Sequence, residues 1–467
     1  MTKNFIWETC NMEKRERFAS RLGFILISAG CSIGLGDVWR FPYITGQYGG
    51  GIFVLIYLAF IVILGLPIMS MELAVGRASQ KSIATSFNVL EKKGTKWHWM
   101  GYAGILGNYI LMMFYTTVAG WMLGYFFKFA TGRFVGAGNE QIAAVFGELI
   151  GNPWEMTLWM VLTTVICFGI CSLGLQEGVE KVTKIMMAML FILILTLAVK
   201  SLTLPNAGAG LKFYLLPDFE SVKKHGLWEI IYAAMSQAFF TLSLGIGSLA
   251  IFGSYIGKER SLLGESINIA VLDTFISIIA GLIIFPACFA FSVDPGEGPG
   301  LVFVTLPHIF NSMAGGRIWG SLFFIFMTFA AYSTVIAVFE NIISFAMDLW
   351  GWSRKKAAII NTIFLIVLSM PCILGFNVLS GFQPLGAGTG ILDLEDFILS
   401  YNLLPLGSLI YLLFCVSRHG WGFDNYLEEV NAGKGAKMPR WLRGYLTWIL
   451  PLIILFVLVQ GYINFFG

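Results

Sequence analysis

Long apolar runs separated by short polar segments give this chain its rhythm. The runs fall at 22–45, 52–76, 100–128, 157–174, 179–199, 227–256, 263–292, 318–350, 357–374, 392–416 and 442–465. A helix needs about 20 predominantly apolar residues to cross a hydrocarbon core, so the pattern predicts eleven transmembrane helices. Composition agrees: 57% of residues are hydrophobic and 12% charged, about half the charge of an ordinary soluble domain. The expectation is an all-α polytopic membrane protein, with the lipid bilayer as its solvent. A net charge of +3 gives no footing for nucleic acid, and seven cysteines, mostly inside spans, make no extracellular disulfide framework.

The polar segments carry the orientation. With a cytoplasmic N-terminus, 22 of the 30 Lys and Arg residues fall in inside segments, as the excess of positive charge on cytoplasmic loops requires. The first twenty residues lack the apolar core of a secretory signal, so a retained N-terminus is expected. No Asn-x-Ser/Thr sequon occurs, which favours a prokaryotic plasma membrane.

Glycine placement adds an internal repeat. Span 1 reads Ser32-Ile33-Gly34-Leu35-Gly36-Asp37, and five spans later the sixth reads Ser243-Leu244-Gly245-Ile246-Gly247-Ser248. Glycine costs up to about 1 kcal/mol relative to Ala inside a helix, so both stretches are expected to unwind at mid-membrane. An odd number of spans per half requires the second half to be inverted, which predicts a 5+5 inverted repeat. Its halves are residues 22–199 (spans 1–5) and 227–416 (spans 6–10), with span 11 at 442–465 outside the symmetry, all within one domain, 1–467. Unwound backbone cannot face lipid, so both breaks must line a polar cavity.

At these residues the chain resembles the sodium-coupled neurotransmitter and amino-acid symporters. Arg21-Leu22-Gly23 opens span 1, Gly34-Leu35-Gly36 breaks it, Trp39-Arg40-Phe41-Pro42-Tyr43 closes it, and Gly49-Gly50-Gly51 leads onward. The similarity continues through Phe240-Thr241-Leu242-Ser243-Leu244-Gly245, Gly298-Pro299-Gly300-Leu301 and the stretch from Asp393 to Phe397.

The resemblance implies sodium-driven import of an amino acid by alternating access, with no enzymatic activity. It implies a substrate carboxylate on the amides near Leu35 and Gly36 and on the Tyr115 hydroxyl. The ammonium would meet carbonyls of Cys31, Phe240 and Thr241 with the Ser243 hydroxyl, while Ser32, Leu111, Ile246, Thr334 and Val338 complete the pocket. Two sodium ions are implied. The first would take the Ser32 carbonyl, Thr241, and the side chains of Asp37 and Asp273. The second would take carbonyls of Gly30, Ile33 and Ala330 and hydroxyls of Ser333 and Thr334. Arg40 and Asp396, above Phe240, match an extracellular gate, and Arg15 and Asp348, with Tyr255, a cytoplasmic one.

Two departures sharpen the expectation. Asp37 and Asp273 stand where most relatives have Asn, adding two carboxylates around one cation site. Gly34 stands where amine-carrying relatives have Asp, which favours an amino acid that brings its own carboxylate, and the uncharged Leu35, Leu111, Tyr115, Phe240, Ile246 and Val338 favour a neutral, apolar or aromatic one. Chloride-dependent relatives hold the anion at positions matching Tyr57, Gln237, Thr241 and Ser277. Here the Asp273 carboxylate, one turn before Ser277, is expected to replace chloride. An intramembrane aspartyl protease is the rival suggested by Gly34-Leu35-Gly36-Asp37, but its partner Tyr-Asp dipeptide is absent from the sequence. A channel or a sensor built on a transporter fold is the other alternative.

Overall fold

The computed structural model describes residues 16–293 and 300–466. Nine helices are individually long and apolar enough to cross a membrane among these residues: Gly51–Ser79 (span 2), Trp99–Ala130 (span 3), Pro153–Ser172 (span 4), Leu175–Leu202 (span 5), Leu262–Ala290 (span 7), Gly316–Trp350 (span 8), Arg354–Gly375 (span 9), Ile391–Val416 (span 10) and Leu442–Phe466 (span 11). Two more are interrupted. Span 1 comprises Arg21–Ser32 and Gly36–Gln47, bent by 53°. Span 6 comprises Leu227–Thr241 and Ala250–Ser254, separated by the turn segment 242–249.

Local chemistry explains both interruptions. Span 1 starts on an extended Ser20 whose hydroxyl accepts the Gly23 N–H, and stops where Ile33 leaves helical geometry at ψ 98°. In span 6, Ser243, Gly245 and Gly247 take φ of 50°, 98° and 70°, a left-handed region that glycine enters without steric cost. A Cβ at Gly245 would lie 2.1 Å from the Leu404 carbonyl oxygen, so the close approach of span 10 also requires glycine there.

Charge hid part of span 5 from the hydropathy pattern. The apolar run starts at 179, whereas the helix starts at Leu175, because Glu177 and Glu180 sit in its first turns. Short helices such as Ile83–Leu90, Asn139–Gly151, Ala207–Leu215 and Phe423–Val430 lie between spans, too short to register as membrane-crossing runs.

Span 8 lies at the centre of the bundle, with 83% of its apolar window buried, against 33% for span 11 at the periphery. Ile192, Val199, Ile359, Val367 and Leu452 stay exposed on the outer surface of their helices. The ends of spans 2, 4, 6, 8 and 10 share one face with the start of span 1. This is the N-terminal face.

Candidate functional site

The two breaks meet around a small cavity. Span 1 contributes Ser32, Gly34 and Gly36, span 3 Leu111 and Tyr115, span 6 Phe240, Ser243 and Ile246, and span 8 Thr334. Leu399 and Leu404 of span 10 complete the lining. None of these side chains is charged. Cys31, Leu35, Thr241 and Val338, also expected in the pocket, are buried but do not line this cavity.

One end of the cavity is built from freed backbone. The Leu35 N–H donates to the Tyr115 hydroxyl at 2.9 Å, and the Gly34 N–H to Asp37 Oδ2 at 3.0 Å. These amides open the second half of span 1, where a helix N-terminus carries positive potential. Tyr115 accepts with its oxygen and keeps an O–H to donate.

The expected second cation site assembles from span 1 and span 8. The Thr334 hydroxyl lies 3.3 Å from both the Gly30 and Ile33 carbonyl oxygens, and the Ser333 hydroxyl 3.2 Å from Ile33 O and 2.9 Å from Ala330 O. All five donors therefore converge as a set of neutral oxygens, which suits a hard monovalent cation.

Carboxylates dominate the expected first site. Asp37 Oδ1 accepts from the Ser277 hydroxyl. Gln237 Nε2 donates to the Gly36 carbonyl at 2.9 Å and to Thr241 Oγ1 at 2.8 Å. Asp273 is fully buried, neither of its oxygens has a hydrogen-bond partner, and it interacts electrostatically with Asp37. No Lys or Arg forms an ion pair with either aspartate among the described residues. Two buried carboxyl groups without a basic partner require a bound cation or a proton, because an unpaired buried charge is costly.

Above the cavity, the Arg40 guanidinium lies 4.2 Å from the centroid of the Phe240 ring. Asp396 Oδ1 accepts from Ser400 at 2.6 Å, and no Arg40–Asp396 ion pair forms within 4.0 Å among the described residues. Arg15 lies outside the described residues. Asp348 accepts the Ser82 N–H at 2.7 Å and lies 3.7 Å from Lys81 Nζ. Tyr255 bonds Glu340 and Ser344, each at 2.6 Å.

Several residues went unnoticed in the sequence. Fully buried Glu72 of span 2 accepts the Gly245 and Leu249 N–H groups of the span 6 break, at 2.5 and 3.3 Å. Fully buried Glu340 is held bidentately by Arg354 at 2.7 and 3.0 Å, and Arg354 reaches Glu16 at 3.3 Å. The signal was available, since an ionisable residue inside a span marks function by default. Leu399 and Leu404 gave no signal, because apolar residues in a span look alike.

A model of the sodium:neurotransmitter symporter family matches residues 15–138 and 139–466, and the chain belongs to this family. Its members are secondary transporters, not enzymes. An uncharacterized sodium-dependent transporter of Bacillus subtilis, YhdH, is 32% identical over 457 residues, or 97% of this chain and 99% of that one. A bovine sodium- and chloride-dependent taurine transporter is 24% identical over 94% of this chain and 77% of its own length. The crystal structure of MhsT in complex with L-phenylalanine superposes with a TM-score of 0.85 at 40% identity, covering 96% of this chain and 100% of that one. The fold is thus the symporter fold expected from the paired breaks, in a multi-pass membrane protein.

Proposed function

We propose that this protein imports a neutral, apolar or aromatic α-amino acid together with sodium. The observation that carries the reading is a cavity with backbone polar groups from two unwound helices at its ends, apolar side chains on its walls and no charged side chain. Leu35 and Gly36 amides with the Tyr115 hydroxyl receive the carboxylate. Carbonyls of Cys31, Phe240 and Thr241, with the Ser243 hydroxyl, receive the ammonium. Leu111, Ile246, Leu399 and Leu404 surround the side chain, with Leu35 and Val338 behind them. A charged substituent there would be desolvated without a partner. The phenylalanine in the MhsT crystal structure supports this class.

Two sodium ions travel with the substrate. One occupies the Ser32, Asp37, Thr241 and Asp273 site, which the substrate carboxylate completes, and the other the Gly30, Ile33, Ala330, Ser333 and Thr334 site. Spans 1–5 and 6–10 form the inverted repeats, and one bundle of helices rocks around the fixed midplane site. Arg40, Asp396 and Phe240 close the outer side, and Arg15, Asp348 and Tyr255 the cytoplasmic side. The N-terminal face is cytoplasmic, in a prokaryotic plasma membrane.

Reconstituted protein should accumulate labelled leucine or phenylalanine under an inward sodium gradient. Each Na⁺ moved with a zwitterion adds about 2.3 kcal/mol per 100 mV of membrane potential, so uptake should be electrogenic. Uptake unaffected by replacing Na⁺ with K⁺ would overturn the reading.

Chloride is not required. Ser277 gives its hydrogen to Asp37 and Gln237 its amide hydrogens to Gly36 and Thr241, so two of the four groups a chloride would need point elsewhere. A second anion beside Asp273 would also be repelled. Uptake in gluconate should match uptake in chloride, and Asp273→Asn should create chloride dependence. Strict chloride dependence of the natural protein would refute the argument.

A further inference from the structure

Unwinding span 6 strips the Ile246 carbonyl of its helical partner, and a buried carbonyl must find another. It finds Asn108 of span 3. Asn108 Nδ2 donates to Ile246 O at 3.0 Å and to Gly104 O of its own helix at 2.7 Å. Its Oδ1 accepts from Asn341 Nδ2 of span 8 at 3.0 Å. Both asparagines are fully buried. An amide that donates twice and accepts once is fixed in orientation, so the carbonyl it holds is fixed as well.

Glycines complete the seat. A Cβ at Gly107 would lie 2.7 Å from Ile246 Cγ2, and one at Gly104 3.3 Å from Ile246 O. Span 3 therefore receives Ile246 into a notch and ties it there. The Ile246 side chain lines the cavity, and Asn341 lies about 10 Å along span 8 from Thr334. One relay thus joins the helix that carries Thr334 to the wall that meets the substrate side chain.

We infer that Asn108, oriented by Asn341, is a positioning residue that sets the depth of the side-chain compartment by holding the Ile246 carbonyl. This rests on the proposed amino-acid reading. Without the tie, Ile246 recedes and the compartment lengthens, so bulky side chains gain relative to small ones.

The test is sodium-driven uptake by the reconstituted full chain of alanine, valine, leucine, phenylalanine and tryptophan. In Asn108→Ala, the KM for tryptophan relative to leucine should fall by about tenfold, equivalent to one lost buried hydrogen bond. Asn341→Ala should shift the ratio in the same direction by less, and the double variant no further than Asn108→Ala alone. A purely structural role would lower Vmax for every substrate and leave the KM ratios within about twofold of the natural protein, which would overturn the inference. If Asn108→Ala does not fold, the ratio in Asn341→Ala decides. If the natural protein takes up none of the five, the amino-acid reading itself fails and this inference falls with it.

Discussion

The two faces of the protein are closed by different means. On the N-terminal face, charged pairs are layered through the bundle: Arg354 with Glu340 and Glu16, Arg21 with Glu265, Arg77 with Glu429, and Glu180 with Lys184, Ser20 and the Ala19 N–H. Among the described residues, only Lys128–Glu155 and Arg133–Glu148 form ion pairs on the opposite face. There the cavity is capped by one guanidinium resting on one ring. The thick closure contains fully buried carboxylates that would lose bonded partners on opening. The thin one has a cation–π contact to lose, so on the proposed gating scheme opening the opposite face would break fewer buried bonds.

The largest effect expected from this contrast is at Glu340. Replacing it with Ala leaves the Arg354 guanidinium, 12% exposed, without its main counter-charge, and breaking a buried pair in this way costs about 3–5 kcal/mol. Thermal melting in detergent should show a marked drop in Tm, with uptake lost. A melt like that of the natural protein would remove the energetic difference between the faces. Arg40→Ala should behave otherwise. A cation–π contact contributes about 0.5–2 kcal/mol, so melting should shift little and equilibrium binding should largely survive while transport is abolished, with Asp396→Ala behaving alike. Equal loss of binding and transport in both variants would contradict the proposed gate role. The smallest effect belongs to the N-terminal face's own surface: Lys181→Ala breaks a pair 66% and 79% exposed and should change stability by less than about 0.5 kcal/mol. A larger shift in the same melting assay would mean that surface charge, not buried pairing, holds that face.

The asymmetry of charge was legible in the sequence, because basic residues concentrate in alternate loops. Its pairing was not. Arg354 and Glu340 lie fourteen residues apart across a turn, and Arg77 and Glu429 at opposite ends of the chain, so only the folded bundle brings them together. Spans were legible because hydrocarbon demands long apolar runs, and the breaks because paired glycines are expensive in helices. The extent of the second break was not, since it depends on Glu72 and Asn108, which come from other spans. The five oxygens around Ser333 and Thr334 were named through family resemblance, whereas spacing alone would have left two hydroxyls bonding their own helix.

Glu72 has a mechanical consequence. It belongs to span 2, yet both of its hydrogen bonds end on the break of span 6. Close by, a Cβ at Gly76 would lie 1.8 Å from Ala250 O and one at Gly253 2.3 Å from Leu73 O, so the two backbones touch without side chains between them. Such a seam has no slack: neither helix can slide or rotate past the other without stripping a buried carboxylate of its partners. Span 2 and the break of span 6 are therefore joined as one rigid unit, and a movement of either would carry the other with it.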